Sequence, residues 1–263
     1  MTSGPKNLPR LLHSGESCIV LEFGDGIDLG VNARVQALRK KIENHPFPGF
    51  IETVPTYRSL AVCFDPLKAR EELEAQGLEA QGLKAQGLES LLLKASEDLE
   101  PNDKEDEELL RVPVCYEGDL APDLERVASH TGLSPGEVVR RHAGKDCYCY
   151  MLGFVPGYSY LGGMDPSLET PRLKEPREKI PPGSVGIGGK QTGIYPIESP
   201  GGWNLIGSTP LRMFDPNRDP AIFLTPGMWV RFVPIDGPEF TRLAQEAAAS
   251  DWRPDIRKKE AAQ

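Results

Sequence analysis

A short span of this sequence gathers side chains able to hold and polarise a small polar molecule. Gln191, Thr192, Glu198 and Ser199 flank Tyr195, and Trp203 follows closely. Upstream, Gly153-Phe-Val-Pro-Gly-Tyr-Ser-Tyr-Leu-Gly-Gly163 sets Tyr158 and Tyr160 among glycines and a proline. Aromatics on glycine-bent loops either plug the end of a barrel or line a pocket, and both readings stand for Tyr158, Tyr160, Tyr195 and Trp203. His142 closes a helix just before the strand that enters this region. An imidazole there is either a satisfied structural group or a candidate for proton transfer.

Other patterns carry less chemistry. Pro182-Gly-Ser-Val-Gly-Ile-Gly-Gly-Lys-Gln-Thr192 imitates a phosphate loop, but Ser184 stands where the first Gly belongs and Gln191 where the magnesium-binding hydroxyl belongs. A glycine-rich turn offering backbone N–H groups to an anion is what remains of that reading. Ser199-Pro-Gly-Gly202 has Ile197 in place of the first Gly of a nucleophile elbow, and every histidine lies N-terminal to it. Cys147 and Cys149 share one face of a strand with no second pair nearby, so no metal site is expected.

These residues need a scaffold. Ser17–Phe23 has strand character, and Val31, Val35, Leu38 and Ile42 give one apolar helical face ended by Pro46 and Pro48. Phe50–Val54 and Ser59–Phe64 read as strands of a hairpin about Pro55–Arg58. A strand at Arg111–Tyr116 precedes two helices. The second starts at a capping box, with Ser134 as N-cap, Pro135 in the first turn and Glu137 at N3, and stops at Gly144. Asp146–Gly153 is an alternating strand. From there the texture changes, with 12 of the 27 glycines falling in residues 153–208 between short apolar runs, the pattern of a barrel or sandwich. The expected domains are 1–151, α/β, and 152–263, a β barrel.

Residues 71–108 interrupt the first domain. Three near-identical pentapeptides run from Glu74 to Leu88, a period matching neither helix nor strand. The segment holds 13 acidic residues against three lysines, and it accounts for the whole net charge of −9. It reads as an inserted acidic excursion, partly helical or disordered. The remaining surface is near neutral, which argues against nucleic-acid binding. Neither a leader peptide nor an apolar stretch of about 18 residues is found, so no membrane contact is read and the expected location is cytoplasmic. Five cysteines, three of them in apolar runs, suit reduced thiols.

The blocks Gly153–Pro166, Pro171-Arg172, Pro176-Arg177, Pro182–Ile187, Gln191–Pro196, Ser199–Trp203, Leu205–Gly207, Thr209-Pro210 and Phe214–Pro216, in this order, resemble the B component of the bacterial ATP-dependent 5-oxoprolinase. That family also includes the histidine kinase inhibitor KipI and the allophanate hydrolase subunit 1 domain. The resemblance covers nearly the whole chain except 71–108. It implies an α+β fold, a ferredoxin-like α/β domain followed by a cyclophilin-like β barrel. It also implies two partners, the A and C components of the enzyme, with hydrolysis of 5-oxo-L-proline to L-glutamate driven by ATP. A lactam is a poor electrophile, and phosphorylating its oxygen would open the ring carbon to water. No nucleotide motif is present, so ATP is expected on a partner or at a shared interface. A KipI-like protein would instead bind a sensor histidine kinase, and a carboxyltransferase-like module would act in urea metabolism. Carried over by motif position, His142, Gln191 and Tyr195 are the catalytic candidates, and Tyr158, Tyr160, Thr192, Ser199 and Trp203 the substrate-binding ones. Two departures stand out. Phe is commoner in the family at Tyr158 and Tyr160, and Ser208 replaces a usual Arg, for which Lys190 or Arg212 could substitute.

Overall fold

In the computed structural model, which describes residues 8–75, 86–97, 99, 107–247 and 252–259, the chain divides into two units, Met1–Asp103 and Lys104–Gln263. The first begins with β1 (Arg10–His13) and β2 (Cys18–Glu22), then α1 (Leu29–Asn44), the hairpin β3 (Phe50–Pro55) and β4 (Ser59–Phe64), and α2 (Pro66–Ala75) and α3 (Gln86–Ala95). Asp28 caps α1 by accepting from the Val31 N–H at 2.9 Å. The helix lays Val35, Leu38 and Ile42 on Ile19, Leu21, Leu60 and Val62, all nearly inaccessible. The sheet order is β1-β2-β4-β3, antiparallel throughout. A ferredoxin-like fold puts a strand from beyond its second helix beside the first strand. Here that place, beside β2, is held by β1 from the N-terminal side.

The described part of 71–108 is less of an excursion than the charge of the segment suggests. Leu88 and Leu92 of α3 are buried in the same core as α1, and Ala95 packs against it. Their spacing of four and three is helical, and Gly87 is the only repeat glycine inside α3. Residues 76–85, the middle of the repeat, lie outside the described residues.

The second unit starts with β5 (Glu108–Cys115), α4 (Leu124–Thr131) and α5 (Pro135–Ala143), then β6 (Cys147–Leu152) and β7 (Ser159–Gly162). The strands β8 (Arg177–Ile180), β9 (Ser184–Gly188), β10 (Gln191–Ile194), β11 (Ser199–Gly201), β12 (Asn204–Ser208) and β13 (Trp229–Ile235) follow. Helix α6 (Gly237–Glu246) and β14 (Ile256–Lys258) complete it. Seven strands, β12-β9-β10-β7-β6-β13-β5, form a sheet closed by the pairing of Ser208 with Cys115, and β14 adds to the other end of β5. Closure removes free sheet edges. Val112, Val114, Cys149, Leu161, Val185 and Ile206 are among its fully buried core side chains.

The expected boundary at 151/152 therefore moves to 103/104. β5 lies parallel to β13 over its full length, from Trp229 opposite Leu109 to Ile235 opposite Cys115, and β6 joins β13 to β7. The glycine-rich texture after 153 marks a change in how the barrel strands bend, not a domain edge. Among the described residues no helix is long and apolar enough to cross a membrane.

The cap of α5 is as the sequence predicts on one side only. Ser134 Oγ accepts from the Glu137 N–H at 3.2 Å, but the Glu137 carboxylate turns to Arg140 and Arg141. Those two arginines hold its carboxyl low, at about 2. Ser134→Ala is expected to cost about 1 kcal/mol of barrel stability in urea unfolding. A change within about 0.2 kcal/mol would mean that the cap does not anchor this helix.

Candidate functional site

The capped helix α5 turns Val138 and His142, four residues apart, toward the barrel interior, where both are buried. The His142 ring stacks on Phe232 with centroids 4.4 Å apart. Its Nδ1 lies 2.8 Å from the Tyr116 hydroxyl and its Nε2 2.8 Å from Thr192 Oγ1, which in turn lies 3.1 Å from the Gly186 carbonyl. One order of protons satisfies every bond. A carbonyl has no proton, so Thr192 must donate to Gly186. Thr192 then accepts from His142 Nε2–H, and the bare Nδ1 accepts from Tyr116 O–H. Burial drives the His142 pKa down to about 3 and pushes the Tyr116 hydroxyl well up, which keeps the imidazole neutral and the phenol a donor. Both ring nitrogens are thus engaged within the protein. The fold brings His142 and Thr192 together as a tie between α5 and β10, a positioning role that leaves no ring nitrogen for a substrate proton.

A second cluster is built from the aromatic residues. Tyr158 is the hub, with ring centroids 5.3 Å from Tyr160, 5.2 Å from Tyr195 and 5.9 Å from Trp203, all edge-on. Burial raises the Tyr158 and Tyr195 phenols, so neither is a phenolate at neutral pH. The glycine excess now has a cause. A β-carbon at Gly188 would sit 2.5 to 2.6 Å from three atoms of the Trp203 indole, and one at Gly193 would sit 3.2 Å from the same ring. Of the two readings open in the sequence, Tyr158, Tyr195 and Trp203 are packed, while Tyr160 is half-buried and Phe154 is 61% exposed with its ring edge-on to Tyr158. Phe154 also has φ +68, a left-handed backbone that non-glycine residues adopt at a cost. The sequence alone does not single it out.

Nor does it single out the arginines, although the repeated Pro-Arg pairs at 171–172 and 176–177 are a signal. The Arg172 guanidinium lies 5.8 Å from the centroid of the Trp203 ring and, among the described residues, has no carboxylate partner. Arg177 donates from Nη2 to Asp123 Oδ1 at 2.7 Å, and its buried Nη1 has no partner among the described residues. Asp123 is fixed by the Leu205 N–H, which donates to its Oδ2 at 2.6 Å. Arg172 and Arg177 both act on Tyr195, partly offsetting the upward push of its burial. Buried Asn204 completes the support, donating to the Pro171 and Ile187 carbonyls and accepting from Arg126 at 2.9 Å.

The remaining candidates divide. Gln191 is half-buried opposite Gly188 at the β9–β10 turn. Ser199 is buried and donates to the Ile197 carbonyl at 3.3 Å, which makes it a turn lock. The glycine-rich run forms the β9–β10 hairpin, and the Gly189 N–H donates to the Thr170 carbonyl at 2.8 Å. Its backbone donors are engaged in the ladder and there is no helix N-terminus, so it does not form an anion cradle or fit a nucleotide phosphate. Ser208 is buried where the barrel closes, and Arg212 is engaged by Asp215 at 3.1 Å.

The family model for the carboxyltransferase domain, subdomain C and D, matches residues 9–224. The 5-oxoprolinase B component of Bacillus subtilis (strain 168) is 42% identical over 233 residues, 89% of this chain and 95% of that protein. The chain belongs to the family of 5-oxoprolinase B components. This family member is also similar to the TTHA0988 crystal structure, at 35% identity and TM-score 0.70 over 84% of the chain. It spans 40% of the length of that larger chain. The K. lactis urea amidolyase structure matches 98% of it with TM-score 0.71 at 20% identity, a shared fold that occupies 17% of that enzyme's chain.

Proposed function

We propose that this chain is the B component of an ATP-dependent 5-oxoprolinase, acting in the cytoplasm with the A and C components to convert 5-oxo-L-proline to L-glutamate. The observation that carries the reading is Arg172, held over Trp203 with no carboxylate partner among the described residues, in a chain 42% identical to nearly all of such a component. 5-Oxoproline is a small ring bearing one carboxylate. A half-buried aromatic ring beside an available guanidinium suits both parts, and Arg pairs with a carboxylate through two parallel donors. Half-buried Tyr160 would hold the ring, Arg172 its carboxylate, and Gln191 the lactam, with the packed Trp203 backing Arg172 from beneath. Arg177, held by Asp123, would set the position of Tyr195. ATP belongs on a partner component in this reading, since the glycine-rich hairpin does not fit it.

The test is reconstitution. The A and C components with this chain should release glutamate from 5-oxoproline when ATP is present, and leaving this chain out should abolish release. Arg172→Gln should raise KM for 5-oxoproline by about 10-fold with a smaller change in kcat, as expected for losing a carboxylate contact made in the bound ground state. Full activity without this chain would end the proposal.

A further inference from the structure

We propose that Cys18 and Cys63 are an oxidation site that closes reversibly into a cross-strand disulfide between β2 and β4. They face each other in register, with Sγ atoms 3.7 Å apart. The ladder supplies a second argument. The Phe64 N–H donates to the Ser17 carbonyl and the Phe23 N–H to the Arg58 carbonyl. Odd-numbered residues of β2 thus make the hydrogen-bonded pairs with β4, and Cys18 with Cys63 is a non-hydrogen-bonded pair. Opposed side chains approach most closely at such positions, with Cα atoms about 4.5 Å apart. A disulfide tolerates Cα separations of about 4.4 to 6.8 Å, so closure needs side-chain rotation and no slip of the strands.

The other three thiols are placed differently. Cys115, Cys147 and Cys149 are buried, whereas Cys18 and Cys63 are partly accessible, on the face of the sheet opposite the one that packs on α1. Small oxidants can reach the pair. Burial and the neighbouring Cys18 push the Cys63 thiol up to about 11, and its S–H points at Cys18. Cys18 is therefore the sulfur that meets the oxidant, here a peroxide. Its attack breaks the O–O bond, giving a sulfenic acid on Cys18 and one water. Cys63 then attacks that sulfur, forming the S–S bond and releasing the second water. Two thiols lose two electrons and two protons in all, and a dithiol reductant returns them by exchange.

The experiment uses the full chain. It is treated with a small excess of hydrogen peroxide, free thiols are alkylated, and an unreduced tryptic digest is read by mass spectrometry. The expected product is peptide 11–34 joined to peptide 59–68, with titratable thiols falling from five to three and returning with dithiothreitol. In Cys63→Ser the same treatment should leave a Cys18 adduct with a sulfenic-acid trap and no cross-link. Five titratable thiols after peroxide, or a link to any other cysteine or to a second chain, would overturn the proposal.

Discussion

Replacing His142 by alanine is expected to lower barrel stability by about 4 kcal/mol. The loss has two parts. Removing the imidazole leaves a cavity against Phe232 and strands the Tyr116 hydroxyl, whose proton goes to Nδ1, while Thr192 keeps its bond to the Gly186 carbonyl and loses only the donor at Nε2. A buried hydroxyl without a partner costs about 1 to 3 kcal/mol. His142→Phe separates the parts, since it fills the space but supplies no hydrogen bond. It should recover about 1 to 2 kcal/mol of the loss and no more. All three tryptophans, Trp203, Trp229 and Trp252, lie in the second unit, so their fluorescence in urea reports on the barrel.

The same residue imposes a pH dependence whose sign is fixed. In the unfolded chain histidine titrates near pH 6.5, whereas burial holds His142 at about 3 in the folded barrel. Between those values the unfolded state binds a proton that the folded state refuses, so stability rises with pH. The contribution is complete above about pH 6.5 and falls by about 1.4 kcal/mol for each unit below it. Native carboxylates pull the same way, so wild type alone is not diagnostic. The difference between wild type and His142→Phe isolates the histidine and should shrink by about 2 kcal/mol between pH 6.5 and 5. A difference that stays constant over that range would mean the ring is protonated in the fold, and the assigned order of protons would be wrong.

His142 also shows where sequence reading stops. Its helix, its cap and its interior face follow from Ser134, Pro135, Val138 and Val139, because those signals are local. Its partners do not. Tyr116 and Thr192 are 26 and 50 residues away and meet the ring only once the barrel closes. The domain boundary fails for the same reason. β5 reads like another α/β strand, and its parallel pairing with β13 spans more than a hundred residues without local trace. β1 escapes notice because its four residues are mostly exposed and carry no apolar alternation. The aromatics are legible as a group, since glycines and rings alternate in one stretch. Whether they are packed or open depends on where each glycine points, which sequence does not state. Arg172 and Arg177 are visible as motif blocks, but a charge becomes a binding group through what it fails to pair with, and that is a property of the fold.

Gly188→Ala tests that packing most severely. The added carbon would lie 2.5 to 2.6 Å from Nε1, Cδ1 and Cε2 of Trp203, inside any tolerable contact, and it meets a rigid ring. Gly188 cannot retreat. It pairs with Gln191 at the closing end of the β9–β10 hairpin, and the preceding Ile187 pairs with Asn204 on the other side. The indole must therefore tip away, losing its edge contact with Tyr158 and carrying off the platform beneath Arg172. Overpacking of this kind costs about 3 kcal/mol. Catalysis should suffer comparably if the rings and Arg172 form the substrate face. In the reconstituted complex, glutamate release should drop about 100-fold, equivalent to about 2.7 kcal/mol of transition-state stabilisation. Gly189→Ala is the matched control one residue along. Its β-carbon meets nothing within 4 Å, so the variant bears only the backbone strain of φ +63. That strain should cost about 1 kcal/mol in stability and leave turnover within about 3-fold of wild type. Near-UV circular dichroism adds a readout independent of activity, since only Gly188→Ala should alter the Trp203 signal. If Gly188→Ala kept full turnover while that signal changed, Trp203 would be core alone, and the substrate face would have to be sought elsewhere on the barrel.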